Sequence, residues 1–301
     1  MDRETAQGSD SEPARRTAAE HTSWGNRVSY EGKNYRLKDG VTAILFLGID
    51  YGAETHAEGT VGGGGRSDAI MLLVLDDQDR STTVFLIPRD TMANVDVYKE
   101  NGDYAFSAFI QVNMQYSFGN SKKRSCYLTK RLLSEILFDL RIDYTLSLDA
   151  AGISSVAEQL GGLTLTLEED YTDIDPSYQK GATITLDGKT AERFVRSRDT
   201  DVSGSGMARM NRHFELLKSL FSQYENKDSE KQLKDILNTA ESYIESDLSA
   251  DTITKLASYR LKDTAVILPG KLVSGEFHDE YYMDEEETKK VILELFYERV
   301  Q

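Results

Sequence analysis

Runs of apolar residues in the first half of the chain predict strands of a buried β-sheet. Continuous apolar stretches are typical of strands that are covered on both faces, and they occupy residues 41–49, 69–75 and 82–87. The segment at 144–148 is also strand-like, and LTLTL at 163–167 alternates strictly, as a half-buried strand does. These patterns predict a sheet with a large apolar core.

Apolar residues at helical spacing separate and follow these strands. In the predicted helix 207–224, one apolar stripe is formed by Met210, Phe214, Leu217 and Phe221. The remaining predictions are helices at 129–140, 150–162, 189–195, 232–246 and 249–260, a strand at 264–269, and a last helix that begins at Asp284, three residues before Glu287. Because strands and helices intermix, we expect an α/β fold, an α/β/α sandwich with a mixed central β-sheet and helices on both faces.

Changes in composition along the chain suggest three parts. Residues 1–30 are mostly polar and are interpreted as a disordered leader or stalk. Residues 31–225 contain the strand and helix pattern of the main domain. Residues 226–301 are expected to form a helical C-terminal extension that packs on the core, and the sequence assigns no function to it.

The charge and cysteine content narrow the possible functions. The 301-residue chain has 51 acidic and 35 basic residues, a formal charge of -16, which argues against a nucleic-acid partner and against adhesion to anionic membranes through charge. Its single cysteine, Cys126, permits neither an internal disulfide nor a cysteine-based zinc site. No run approaches the roughly 18 apolar residues of a membrane helix. The protein is therefore either soluble as it stands or attached by an anchor outside this sequence.

Common catalytic motifs are absent from the sequence. The glycine-rich TVGGGGRSD at 60–68 departs from the phosphate-binding P-loop pattern at Thr60 and Arg66. Neither G-x-S-x-G nor H-E-x-x-H occurs, and the four histidines are scattered.

The segment RFVRSRDTDVSGSGMARMNRH at 193–213 concentrates arginine in this acidic chain. Guanidinium groups are always charged and can bind phosphate oxygens with two hydrogen bonds, although single arginines are usually solvated or paired with acids. Arg196 and Arg198 follow a predicted helix end and can face one site. Arg209, Arg212 and His213 share one face of the next helix. The Ser-Gly loop before that helix leads to an N-terminus that favours an anion. The segment therefore predicts a phosphate site.

Two further arginine-acid pairs lie at strand ends. Arg66 and Asp68 precede the second strand, and Arg89 and Asp90 follow the third. They are either structural ion pairs or parts of one polyanion site. In the second case Asp68 is a candidate Mg²⁺ ligand, since Mg²⁺ binds one or two carboxylates together with phosphate oxygens.

Six motifs in this order resemble the LytR-CpsA-Psr family of cell-envelope proteins over roughly residues 41–224. They are ILFLGID, RSDAIMLLVLDDQDRSTTVFLIPRDT, VNMQYSFG, IDYTLSLDAAGISSVAEQLGGLTLTL, LDGKTAERFVRSR and ARMNRH. The resemblance implies an α/β/α sandwich outside the cell, held by an N-terminal membrane helix that lies outside this sequence. It implies a Mg²⁺-assisted phosphotransferase that binds a polyprenyl pyrophosphate lipid in an apolar tunnel. The enzyme would transfer a glycopolymer, such as teichoic acid or capsule, to peptidoglycan.

The same resemblance assigns roles to the charged residues. Arg89 and Asp90 are expected to be catalytic, with Asp90 either the base for the acceptor hydroxyl or the group that orients Arg89. Asp68 is the expected metal ligand. The pyrophosphate ligands are expected to be Arg66, Arg89, Arg196, Arg198, Arg209, Arg212 and His213.

Two positions depart from the family pattern. The family usually has an acid where this chain has Gly206, and a glutamine where it has His213. The second metal ligand is therefore open, with Asp199 or Asp201 as substitutes. A non-catalytic lipid-binding or envelope-regulatory protein remains the alternative to the enzyme. A transcription regulator fits poorly with the negative charge and the lack of a DNA-reading helix.

Overall fold

The computed structural model describes residues 24–51, 63–199, 201–224 and 229–300. Within them the chain forms sixteen strands and seven α-helices. The strands are β1 (Arg27–Tyr30), β2 (Lys33–Leu37), β3 (Val41–Asp50), β4 (Arg66–Asp76), β5 (Ser81–Leu86), β6 (Met92–Tyr98), β7 (Tyr104–Gln111), β8 (Tyr144–Asp149), β9 (Leu163–Thr166), β10 (Thr183–Leu186), β11 (Ile244–Ser246), β12 (Arg260–Leu261), β13 (Val266–Ile267), β14 (Gly270–Ser274), β15 (Asp279–Met283) and β16 (Tyr297–Val300). The helices are α1 (Lys122–Ile136), α2 (Gly152–Gln159), α3 (Gly188–Arg196), α4 (Ser205–Tyr224), α5 (Ser229–Thr239), α6 (Ala250–Ser258) and α7 (Glu285–Phe296).

The central sheet is mixed and has the order β11-β8-β3-β4-β5-β12, with β13 also paired to β5. Strand β3 is antiparallel to β4 and parallel to β8, and β5 is antiparallel to β4. The ends of β3 and β8, the start of β4 and the end of β5 therefore meet at one edge of the sheet. This edge receives the predicted arginine-acid pairs.

Both faces of the sheet are covered by helices. Side chains of β4 alternate between two cores, as strand geometry requires. Ile70, Leu72 and Val74 pack with residues of α1 and α7, whereas Met71 and Leu73 pack with residues of α4 and α6. The predicted α/β/α sandwich with a mixed sheet is confirmed.

The remaining strands form small sheets around this sandwich. Strands β1, β2 and β16 form one sheet, and β6–β7, β9–β10 and β14–β15 form antiparallel pairs. Trp24 stacks on Phe138 with 5.3 Å between ring centroids, and the hydroxyl of Tyr297 donates to the carbonyl of Trp24 at 2.8 Å. Of the predicted leader 1–30, residues 1–23 lie outside the described residues, whereas Arg27–Tyr30 form β1.

The segment after residue 229 is less helical than its sequence pattern predicts. The helix predicted at 232–246 ends at Thr239, and Ile244–Ser246 pairs with β8. Three strands of this segment, β11, β12 and β13, lie in the central sheet. Strands of two or three residues are too short for a readable period. The final helix begins as predicted, because the Asp284 carboxylate accepts from the backbone N–H of Glu287.

Candidate functional site

An apolar cavity of about 120 Å³ lies between the central sheet and the helices α2 and α4. Small residues on the sheet leave this space open. A Cβ atom at Gly48 would lie 2.9 Å from the Cβ atom of Ala69, and Ala69 itself contributes only a methyl group. The apolar lining consists of Phe46, Ile49, Ala69, Met71, Leu148, Ala150, Ile153, Val156, Leu163, Val195, Leu216, Leu217 and Leu220. Charged residues occur in the wall only at one end, where Asp50, Asp68, Arg196 and Arg209 also line the cavity.

A charged cluster at this end of the cavity consists of Asp50, Asp68, Arg89, Arg196 and Arg209, and Asp68 is paired with two of the arginines. Its Oδ1 is paired with Nη1 of Arg89, and its Oδ2 lies 2.9 Å from Nη2 of Arg209. Burial opposes ionisation of Asp68, but the charges of Arg89 and Arg209 outweigh it and hold the pKa of this carboxyl below its usual value. One carboxylate thus connects three elements, which are β4, the turn that follows β5, and helix α4.

Arg196 reaches the same cavity from the C-terminal end of α3. This helix begins at Asp187, whose side chain accepts from the backbone N–H of Thr190 at 2.8 Å. Arg196 pairs with Asp50 at 2.6 Å and with Glu192 at 2.7 Å. The guanidinium is therefore oriented by acids on both sides before any ligand binds.

Arg198 lies in the loop between α3 and α4. Its Nε donates to Oγ of Ser205, the first residue of α4, at 3.0 Å. The pKa of Arg209 is lowered by burial and by the nearby positive charges of Arg89 and Arg198, although Asp68 acts in the opposite direction. Arg198 therefore lies close enough to Arg209 for its positive charge to affect the pKa of Arg209.

Asp90 is buried beside Arg89. Its Oδ1 accepts from Nε of Arg89 at 3.2 Å and from Nε2 of Gln111 at 2.7 Å. A Cβ atom at Gly206 would lie only 2.5 Å from Oδ2 of Asp90, so glycine lets this carboxylate approach the first turn of α4. These contacts suit a group that holds Arg89 in place.

Arg212 and His213 bind backbone carbonyls at the end of α3. Arg212 donates through Nε to the carbonyl of Phe194 at 3.1 Å and through Nη2 to that of Ser197, and its guanidinium lies 5.3 Å from the ring centroid of Tyr171. His213 donates through Nε2 to the carbonyl of Val195 at 3.0 Å. Burial and the neighbouring arginines lower the pKa of His213 to about 4. Neutral His213 has no second N–H to offer to a phosphate.

The remaining predicted residues lie at the periphery. Arg66 is exposed at the start of β4, where its backbone pairs with that of Asp50. Asp201 is exposed, and its backbone N–H donates to Asp199 at 2.9 Å. No group of three or more acidic, histidine or cysteine side chains within the described ranges could hold a metal ion by itself.

Three site residues are not predicted from the sequence: Asp50 and Glu192 orient Arg196, and Gln111 holds Asp90. Glu192 does carry a signal, because it lies four residues before Arg196, the spacing of a helical ion pair. The isolated Gly48 inside an apolar run is the signal that could have located the cavity, since glycine within a strand often marks a close approach or an open space.

The arrangement defines a protein that can bind an amphipathic anion, with the apolar part in the cavity and the anionic part at the arginines. The profile of the LytR_cpsA_psr family matches residues 6–292. The chain belongs to this family.

Curated relatives and solved structures are similar to this chain at low identity. The polyisoprenyl-teichoic acid--peptidoglycan teichoic acid transferase TagU of Bacillus licheniformis is 25% identical over 259 residues, which cover 84% of this chain and 76% of the relative. Biofilm regulatory protein A of Streptococcus mutans is 24% identical over 238 residues, with 76% and 55% covered.

Among solved structures, B. subtilis TagV superposes with a TM-score of 0.62 at 20% identity and covers 86% of this chain and 98% of its own. TagT bound to LI-WTA superposes with a TM-score of 0.61 at 21% identity, with 85% and 90% covered. These structures support the fold. No helix in the described parts of the chain is long and apolar enough to cross a membrane.

Proposed function

We propose that this protein is a phosphotransferase that binds a polyprenyl-pyrophosphate-linked glycopolymer and transfers the glycopolymer to peptidoglycan. The proposal rests on one observation, an apolar cavity whose charged end is lined by Arg196 and Arg209. An isoprenoid tail fits the cavity chemically, and guanidinium groups bind pyrophosphate oxygens. Several relatives are named polyisoprenyl-teichoic acid--peptidoglycan teichoic acid transferases. The protein would act outside the cytoplasm in a bacterial cell envelope, attached by a membrane anchor outside this sequence.

The charge of the cluster supports a role for Mg²⁺. Arg89, Arg196 and Arg209 are each paired with at least one carboxylate. A pyrophosphate therefore enters a cluster that is largely neutralised, and a divalent cation would offset its added charge. Asp68 would hold Mg²⁺, with phosphate oxygens as further ligands, because Mg²⁺ is commonly bound by one or two carboxylates plus substrate phosphates. The exposed Asp201 remains the proposed second ligand.

The transfer step follows from phosphoryl chemistry. An acceptor hydroxyl oxygen of peptidoglycan forms a bond to the phosphorus that carries the glycopolymer. The bond from this phosphorus to the bridging oxygen breaks, polyprenyl phosphate leaves with the electron pair, and the hydroxyl proton passes to a base or to solvent. Fixed guanidinium groups stabilise the charge on the transferring oxygens. Arg89 and Arg196 are suited to this because acids already orient them.

Asp90 has two possible roles in this step. As a base it would accept the proton of the acceptor hydroxyl. Its burial and its contacts with Arg89 and Gln111 favour the second role, which is to orient Arg89.

A non-catalytic lipid-binding or envelope-regulatory protein is the second candidate. Gly206 provides no carboxylate where the family usually has one, and both oxygens of Asp68 are engaged by arginines. One relative is named Biofilm regulatory protein A. Both candidates require lipid binding, and only transfer separates them.

Lipid binding is tested by native mass spectrometry with farnesyl pyrophosphate, with and without Mg²⁺. We expect a bound lipid in the wild type and its loss in the Arg196→Ala/Arg198→Ala variant. The matched control is Arg27→Ala/Arg299→Ala, which removes two exposed arginines from the small β1–β2–β16 sheet. Equal binding by all three proteins would refute both candidates.

Transfer is tested with a radiolabelled glycopolymer on a polyprenyl pyrophosphate carrier and with purified peptidoglycan. Label in the peptidoglycan and release of polyprenyl phosphate would support the enzyme. Binding without either product would support the non-catalytic candidate.

A further inference from the structure

The C-terminal hairpin β14–β15 packs against the loop that precedes α4, although it lies far from every charged motif in the sequence. Leu272 and Tyr281 of the hairpin contribute to the core beneath the central sheet. A Cβ atom at Gly204 would lie 3.8 Å from Cδ2 of Leu272. The hairpin is therefore a neighbour of the segment that connects Arg198 to Arg209.

Asp279 of the hairpin binds this loop through both carboxylate oxygens. Its Oδ1 accepts from the hydroxyl of Ser203, and its Oδ2 accepts from the backbone N–H of Gly204, each at 2.7 Å. Gly204 adopts a left-handed conformation with φ of 82°, and its carbonyl accepts from the amides of Met207 and Ala208 in the first turn of α4. Asp279 thus fixes Gly204, the residue that immediately precedes α4.

The same hairpin also contacts Asp90, both directly and through the side chain of Gln111. Nε2 of Gln111 donates both to Asp90 Oδ1 at 2.7 Å and to the backbone carbonyl of Asp279 at 2.8 Å. The backbone N–H of Tyr281 donates to the carbonyl of Asp90 at 2.8 Å. One hairpin therefore connects the turn that carries Arg89 to the loop that follows Arg198.

The contacts of Asp279 distinguish positioning from ligand binding. Asp279 is 8% exposed, and both oxygens of its side chain are used within the protein. As a negative charge near Arg198, it would by itself repel an anionic ligand. A carboxylate in this place is useful only if the order that it imposes on the loop outweighs that repulsion.

We propose that Asp279 is a positioning residue that fixes the Ser203–Gly204 loop and thereby aligns Arg198 and Arg209 for a pyrophosphate group. This inference rests on the proposed function for the identity of the ligand. The structural part of the inference, that Asp279 fixes the loop, does not depend on the proposed function.

The test compares Asp279→Ala with Asp279→Asn and with Glu280→Ala. Alanine removes both acceptors. Asparagine removes the charge but can still accept from Gly204 and donate to the Ser203 hydroxyl. Glu280 is the next residue on β15 and accepts from the hydroxyl of Tyr282, so Glu280→Ala removes an equal charge from the same hairpin away from the loop.

The ligand measurement is the affinity for farnesyl pyrophosphate and for farnesol, which lacks the anionic group. We expect Asp279→Ala to weaken farnesyl pyrophosphate binding about tenfold and to leave farnesol binding unchanged, because both hydrogen bonds that order the loop are lost. Asp279→Asn should bind like the wild type, as should Glu280→Ala. If Asp279→Ala binds farnesyl pyrophosphate as tightly as the wild type or more tightly, Asp279 acts only as a charge and the inference is overturned.

A measurement without ligand separates this inference from the proposed function. Amide hydrogen exchange of Gly204 should be about tenfold faster in Asp279→Ala and unchanged in Glu280→Ala. Ser203→Ala, which removes one of the two contacts, should bind farnesyl pyrophosphate more weakly, by a smaller factor, if Asp279→Ala does not fold. Failure of the wild type to bind farnesyl pyrophosphate would refute the proposed function, whereas unchanged exchange at Gly204 would refute the positioning role.

Discussion

Replacing Asp68 with asparagine removes the negative charge that lies between Arg89 and Arg209. The two arginine side chains are 11% and 5% exposed, and that of Asp68 is 13% exposed. Breaking a buried ion pair by removal of one partner costs about 3–5 kcal/mol, because an uncompensated charge remains. Arg89 keeps Asp90 as a partner, so we expect the lower value, about 3 kcal/mol, which arises mainly at Arg209.

The measurement is urea unfolding at pH 7.5, followed by far-UV circular dichroism. The double variant Asp68→Asn/Arg209→Met removes both charges and should be more stable than Asp68→Asn alone. The exposed Asp251→Asn, which disturbs only a weak surface pair with Lys255, is the control and should leave stability unchanged. A loss below about 1 kcal/mol in Asp68→Asn, or additive losses in the double variant, would refute the assignment of a buried pair.

The pH dependence of this difference has a defined sign. The pKa of Asp68 is depressed in the folded protein, so its contribution is present above the unfolded value of about 3.9 and is lost as the pH falls through the folded value. The stability difference between the wild type and Asp68→Asn should therefore persist at pH 5 and disappear at strongly acidic pH.

Three further predictions concern neighbouring residues. The pKa of His213 is about 4 in the folded chain and about 6.5 when unfolded. The free energy of unfolding should therefore fall by about 3 kcal/mol between pH 6.5 and pH 4. Urea titrations of His213→Gln should show a pH dependence that is smaller by this amount. Arg212→Lys should lower stability by about 2 kcal/mol in urea titrations, because the hydrogen bonds to two carbonyls require a guanidinium, whereas Arg66→Lys should have no effect. Ile153→Trp should fill the cavity and weaken farnesyl pyrophosphate binding at least tenfold in calorimetry, without a change in the affinity for inorganic pyrophosphate.

The sequence predicts the central sheet well because its strands are long and apolar. The runs at 41–49, 69–75 and 82–87 appear as β3, β4 and β5 with end differences of three residues or fewer. The convergence of Asp68 with Arg89 follows from topology, since the start of one strand and the end of its antiparallel neighbour lie at the same sheet edge.

Side-chain direction and long-range partners are harder to predict. Arg209 and Arg212 are three residues apart on one helix, yet Arg209 faces the cavity and Arg212 binds carbonyls at the end of α3. Helical spacing places the Cα atoms but does not choose among partners for a long side chain. Asp279 lies more than seventy residues from the loop it binds, and no local pattern marks it.

Helix α4 carries both the arginine that contacts Asp68 and three leucines that line the cavity, Leu216, Leu217 and Leu220. From Arg209 to Leu220 the helix rises about 16 Å at 1.5 Å per residue. A rigid rod of this length cannot move outward to admit a bulkier hydrocarbon chain without also changing the distance between Arg209 and Asp68. The length and branching of the hydrocarbon would therefore affect the position of Arg209 at the phosphate-binding end of the cavity. Through this one helix, the choice of lipid carrier is coupled to the geometry of the groups that act on the phosphate.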